Sequence, residues 1–226
     1  MMCSASADYD GAAKLAYNTL LKYSNGMLPV NVKQIVKSFK NIKLISFKKY
    51  MRAMGYSYEE LIDKFGSERG FTIFDSKEDK YLIVYNKEDD ECTQRWTIAH
   101  ELGHILMGHL KREDYNLIHY NNGEHPMEKE ANTFAKHLLA PFPLISRIKV
   151  ENKNYDIVSP DKISIIFDIN ITPSAYICQH FSKLYYCPRD MRLESKFSKS
   201  IESLKVDPFK DFQEVAELSP FDDFLF

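Results

Sequence analysis

Neither sign of charge prevails in this 226-residue sequence, where 30 basic side chains stand against 32 acidic ones for a formal net charge of -2. Without a global field there is nothing to hold a polyanion or a membrane surface, so direct nucleic-acid binding would need a local basic patch and is not expected. Long apolar runs are missing as well. No window approaches the ~18 uninterrupted apolar residues of a membrane span, and Met1 to Asp10 lacks the basic start and apolar stretch of a secretory signal. A cytoplasmic protein with no membrane partner is the expectation. Cysteine is scarce: Cys3, Cys92, Cys178 and Cys187 show no CxxC spacing, which argues against both a disulfide framework and a four-thiolate zinc site. Cys178, His180 and Cys187 lie close in sequence but lack a fourth ligand.

What is present is enough for a folded core, with 44% hydrophobic and 27% charged residues. Ala12, Leu15, Ala16, Thr19, Leu20 and Tyr23 recur at helical spacing and predict a helix over Tyr9 to Tyr23, ended by Ser24-Asn25-Gly26. A short helix after Pro29 would bury Val32, Ile35, Val36 and Phe39. Phe71 to Phe74 and Tyr81 to Tyr85, β-branched and aromatic, predict a hairpin. A helix follows over Thr93 to Met107, broken by Gly108. After a loop over Asn121 to Pro126, Pro126 opens a helix to Leu139, with Met127, Ala131, Phe134, Ala135 and Leu138 on its apolar stripe. Two short helices are expected within Asp161 to Leu184.

The chemistry sits in His100-Glu101-Leu102-Gly103-His104. Residues four apart on a helix stand one above the other, so both imidazoles can reach one cation, while Glu101 can take a proton from a water on that cation. Ile98, Ala99, Leu102, Ile105 and Leu106 cluster away from the histidines, which would put the apolar face in the core and the ligands on a cleft. Hydrolytic zinc usually has three protein ligands and an open position. Glu128 and Glu130 are the candidates for the third. Glu128 is preferred, because Asn132 lies four residues on and could hold the imidazole N–H of a ligand histidine. His109 and His125 flank the motif and could stabilise a tetrahedral intermediate, although exposed loop histidines are the default at such positions. Cys92 stands about 12 Å along the helix from His100 and is no ligand.

The run Arg95 to His104, followed by Glu128-Lys129-Glu130-Ala131-Asn132-Thr133-Phe134-Ala135 and Leu138-Leu139-Ala140-Pro141, resembles the ImmA/IrrE family of metallopeptidases. The resemblance extends over roughly Tyr9 to Leu184. It implies a gluzincin-type zinc site of two histidines and a glutamate, a helix-turn-helix-like stretch near Ile163 to Ser174, and a bacterial, phage or mobile-element origin. It also implies a protein substrate, a helix-turn-helix repressor whose cleavage derepresses genes. Trp96 stands where the family usually has Phe, and Ala140 where Met is common.

The expected fold class is therefore α+β: a mostly helical, zincin-like metallopeptidase domain with a small sheet over residues 1–145, a helical region over 146–190, and an appendage over 191–226. The final 20 residues hold six acids, one lysine and five phenylalanines, a composition suited to docking on the chain's own domain. Two other functions compete. In one, zinc is structural and the chain sequesters a regulatory partner; in the other, residues 161–184 bind DNA, although Lys162 and Lys183 are their only basic residues.

Overall fold

Asp8 starts the first helix: its carboxylate accepts from the Gly11 amide at 2.8 Å, satisfying one of the N–H groups left unpaired at the start of α1, Tyr9–Tyr23. The structure, a computed structural model, describes residues 6–111, 125–152 and 158–205. Asn31 caps α2, Val32–Lys37, in the same way. Three strands follow in one sheet: β1, Ile42–Ser46; β2, Gly70–Asp75; and β3, Lys80–Tyr85. The sheet order is β1-β3-β2, with β1 parallel to β3 (Ile42 opposite Tyr81) and β2 antiparallel to it (Phe71 opposite Val84). The expected hairpin is present. The parallel third strand, and the helices α3, Phe47–Met54, and α4, Tyr58–Phe65, were not expected.

Alternation along the strands explains why the sheet is covered on both faces. Ile42, Tyr81 and Ile83 enter the main core, whereas Phe71 and Val84 join Phe47, Tyr50 and Leu61 in a second cluster under α3 and α4, with Phe65 stacked on Phe71 at 3.8 Å. Both short helices end on glycines with positive φ, Gly55 and Gly66, and Ser57 and Glu60 form a reciprocal capping box at the start of α4.

Asp90 caps α5, Glu91–Leu106, by accepting from the Thr93 amide at 2.9 Å; a single 3-10 turn, His109–Lys111, follows Gly108. Next come α6, Pro126–Leu139; α7, Phe142–Glu151; α8, Pro160–Phe167; α9, Ile171–Ser182; α10, Met191–Lys196; and α11, Ser198–Ser203. Pro126 opens α6, as its fixed φ suits. The molecule is mostly helical with one small sheet, an α+β fold. No helix among the described residues is long and apolar enough to cross a membrane.

α5 runs through the middle. Ile98, Ala99, Leu102 and Ile105 meet Phe134 and Leu138 of α6 and Ala12, Ala16 and Leu20 of α1 in one core. Residues 191–203 belong to that core as well: Leu193 and Phe197 are fully buried, Lys196 Nζ donates to the Leu21 carbonyl at 2.7 Å, and Ser200 Oγ accepts from the Leu28 amide at 3.0 Å. The remaining acidic and aromatic stretch, 206–226, and residues 121–124 of the expected loop lie outside the described residues.

α5 and α6 approach closely at Gly103. A Cβ there would lie 3.1 Å from Phe134 Cδ1 and 3.2 Å from Ala131 Cα and its carbonyl oxygen. The backbone atoms cannot rotate away, so a larger side chain must push the helices apart. Gly103→Val is expected to cost roughly 1–3 kcal/mol in chemical denaturation and to weaken metal binding, since Glu128 rides on the helix displaced. Unchanged stability would show that the two helices are not in contact as described.

Candidate metal centre

The same close approach carries Glu128, in the first turn of α6, to the two histidines one helical turn apart on α5. His100 Nε2 and His104 Nε2 are 3.0 Å apart; Glu128 Oε2 lies 3.2 Å from the first and Oε1 3.2 Å from the second. Among the described residues, these three side chains are the group of metal-ligating types whose donor atoms all fall within 4.8 Å of one another.

Each imidazole is held from behind. His100 Nδ1 is 3.0 Å from Asn132 Oδ1, so the amide oxygen accepts the Nδ1 proton and leaves Nε2 bare. The spacing of Glu128 and Asn132 suggested this contact, and it is present. His104 Nδ1 lies 2.9 Å from His109 Nδ1. Two ring nitrogens and a carboxylate facing one another bring three metal-ligating atoms to one point, an arrangement that fits a cation. The dimensions fit too: donors bound at the ~2.0–2.2 Å usual for zinc in a tetrahedral set lie roughly 3.3 Å from one another.

Glu101 turns the other way, toward the sheet. Its Oε2 accepts from Thr72 Oγ1 at 2.7 Å, a contact made possible because Gly70 lets β2 approach α5: a Cβ on Gly70 would sit 2.5 Å from Thr97 Cγ2. The expectation of an amphipathic α5 with its ligands on an open cleft is corrected here. Glu101 is 6% and His104 2% exposed, because β2 covers one side of the motif and the His109 turn with α6 covers the other. Solvent reaches the group at His100 and Glu128, whose side chains are 17% and 19% exposed.

Burial raises the pKa of Glu101, opposed by His100 and by the Thr72 hydrogen bond. Burial alone would lower His100, but its bond to Glu128 and the charge of Glu101 outweigh this and set its pKa above that of an ordinary histidine. His104 is pulled down by burial to about 4, against the opposing pull of Glu128. For Glu128 burial is outweighed by its bonds to both histidines, which hold it well below the carboxylate range. A raised His100 pKa means that metal competes with a proton for this ring. Metal affinity should then fall by about tenfold for each pH unit below the His100 pKa, read by chelator competition between pH 8 and pH 5. A flat profile would place no displaceable proton on the ring.

The other sequence candidates lie elsewhere. Glu130, the alternative third ligand, points away from the histidine pair: Oε2 meets His109 Nε2 and Oε1 accepts from the Asp8 amide, both at 2.8 Å. His109 is not an exposed loop histidine but fully buried, because the turn after Gly108 folds it back beneath His104. His125 is the N-cap of α6, its ring accepting from the Met127 amide at 3.3 Å. Cys92 donates to Asp168 Oδ1, and His180 Nδ1 pairs with Lys136 Nζ at 3.0 Å. Thr72 escaped the sequence reading, although a lone hydroxyl in an apolar strand is a recognisable signal.

A family model described as the IrrE N-terminal-like domain, Peptidase_M78, matches residues 53–159. Residues 53–159 are similar to an IrrE-like peptidase domain. The match contains β2, β3, α5 and α6, hence His100, Glu101, His104 and Glu128 together, and it supports a metallopeptidase type of function. It ends before α8 and α9, the pair likened to a helix-turn-helix. Outside the IrrE-like domain the chain contributes α1, whose entry touches Glu130, and α8, whose terminal Asp168 forms a 2.8 Å ion pair with the buried Arg95 of α5. No curated protein matches the chain.

Proposed function

We propose that this protein is a zinc-dependent endopeptidase in which His100, His104 and Glu128 hold the metal and Glu101 is the general base, acting in the cytoplasm on a helix-turn-helix transcriptional repressor. The observation that carries the reading is the convergence of two imidazole Nε2 atoms and one carboxylate within 3.2 Å contacts, beside a second, buried carboxyl group, that of Glu101, which faces Thr72 instead. Zinc bound there supplies a Lewis acid and a water acidified to a pKa of about 7.

The chain's own residues do the rest. Glu101, its pKa raised by burial, takes the proton of the attacking water and passes it to the departing amine. Thr72 fixes which way that carboxylate faces by donating to Oε2. Asn132 keeps the proton of His100 on Nδ1. The repressor substrate and the release of genes from repression are supported by the resemblance to the ImmA/IrrE family and by its matching domain. Direct DNA binding is disfavoured, since α8 and α9 carry Lys162 alone as a basic residue and Lys183 follows only at the cap of α9.

The test is to incubate the zinc-loaded full chain with purified helix-turn-helix repressors and to follow peptide products by mass spectrometry, with and without chelator. Chelator-sensitive cleavage is expected. Stoichiometric release of a repressor from its operator with no cleavage would replace the peptidase by a sequestering protein.

A further inference from the structure

Glu128 and Glu130 share the first two turns of α6, yet they serve different partners. Glu128 faces the histidine pair, whereas Glu130, 5% exposed, faces His109, which has no exposure at all. We infer that His109 and Glu130 are positioning residues that hold His104 in the one tautomer able to bind metal; the inference rests on the His100–His104–Glu128 reading above.

The chain of protons follows from what each group can do. In the 2.8 Å contact between Glu130 Oε2 and His109 Nε2 the carboxylate oxygen accepts, so the ring's Nε2–H donates to it. A neutral His109 then offers a lone pair at Nδ1. That lone pair lies 2.9 Å from His104 Nδ1, a contact that is attractive only when His104 carries its proton on Nδ1. His104 Nε2 is left bare toward His100 and Glu128. The other oxygen of Glu130 is occupied by the Asp8 amide at 2.8 Å, which fixes the carboxylate plane, and Asp8 itself is fixed by capping α1. His104, His109 and Glu130 are all buried, so little water competes for these bonds. The two proposed ligand histidines are thus set by different devices: an amide oxygen for His100, and a carboxylate relayed through a second imidazole for His104. Partners of this kind that orient metal-binding histidines contribute roughly 10–100-fold to metal affinity.

His109→Leu removes the relay and keeps an apolar side chain in the site. In His109→Gln, the amide oxygen can accept from His104 while the amide nitrogen donates to Glu130. Zinc affinity is measured on the full chain by competition with a chromophoric chelator, together with the visible spectrum of the cobalt-substituted protein and the melting of each metal-free form. Expected are a loss of roughly 10–100-fold in His109→Leu with an altered cobalt spectrum, and recovery to within about threefold of wild type in His109→Gln. Wild-type affinity in His109→Leu, or a His109→Gln no better than His109→Leu, would overturn the inference. Should His109→Leu fail to fold, Glu130→Gln decides: a loss of about tenfold or more supports the relay and an unchanged affinity overturns it. A wild type that binds neither zinc nor cobalt would sink the proposed metal centre instead, a result distinct from all of these.

Discussion

Glu101→Gln is expected to lower the turnover of a cleaved repressor by on the order of 10³-fold or more while leaving zinc content and the melting temperature intact. The substitution keeps the side chain's shape, and its amide oxygen can still accept from Thr72 Oγ1, now 2.7 Å from Oε2. What disappears is the basic oxygen that takes a proton. Burial already disfavours the ionised form of Glu101, so a neutral amide removes a cost of folding rather than adding one. The variant should therefore bind zinc and repressor and fail only in chemistry. Steady-state cleavage, metal analysis and thermal unfolding of one preparation check all three, and near-wild-type cleavage would exclude Glu101 as the base.

Glu128→Ala has the largest expected effect on metal. Taking one donor from a three-donor set should weaken zinc by on the order of 10³-fold, enough to lose the metal through purification. Glu130→Ala is the informative companion. The geometry gives Glu128 two 3.2 Å contacts to the histidines and gives Glu130 none, so Glu130→Ala should lose only the smaller orienting contribution and retain zinc at high metal concentration. The reverse ranking, measured by metal content and chelator competition, would make Glu130 the third ligand.

Where the sequence was informative, the information was local. The four-residue interval between His100 and His104, Pro126 at a helix start, and the Glu128–Asn132 interval each express one turn of helix, and α1, β2, β3, α5 and α6 appear within a few residues of where periodicity puts them. β1 had no such signal: Ile42–Ser46 is five residues long, and it is a strand because β3 lies beside it in parallel register. α3 and α4 did leave a trace, Ser57 three residues before Glu60 and a glycine after each helix. His109 could not be read correctly from its neighbours, since a histidine after a glycine is by default a surface residue, and its burial depends on Glu130, 21 positions away. The enclosure of α5 is likewise a property of β2, α1 and α6 together.

The return of α10 and α11 to α1 sets an order of events during synthesis. Leu193, Phe197 and Ile201 complete the core that Ala16 and Leu20 begin, and Lys196 and Ser200 bind the backbone at Leu21 and Leu28. A nascent chain acquires His100, His104 and Glu128 long before it acquires these residues. Until Ile201 has left the ribosome, α1 packs along α6 but lacks the cover that α10 gives its other side. Prematurely terminated chains thus carry the full set of proposed ligands on an incomplete core.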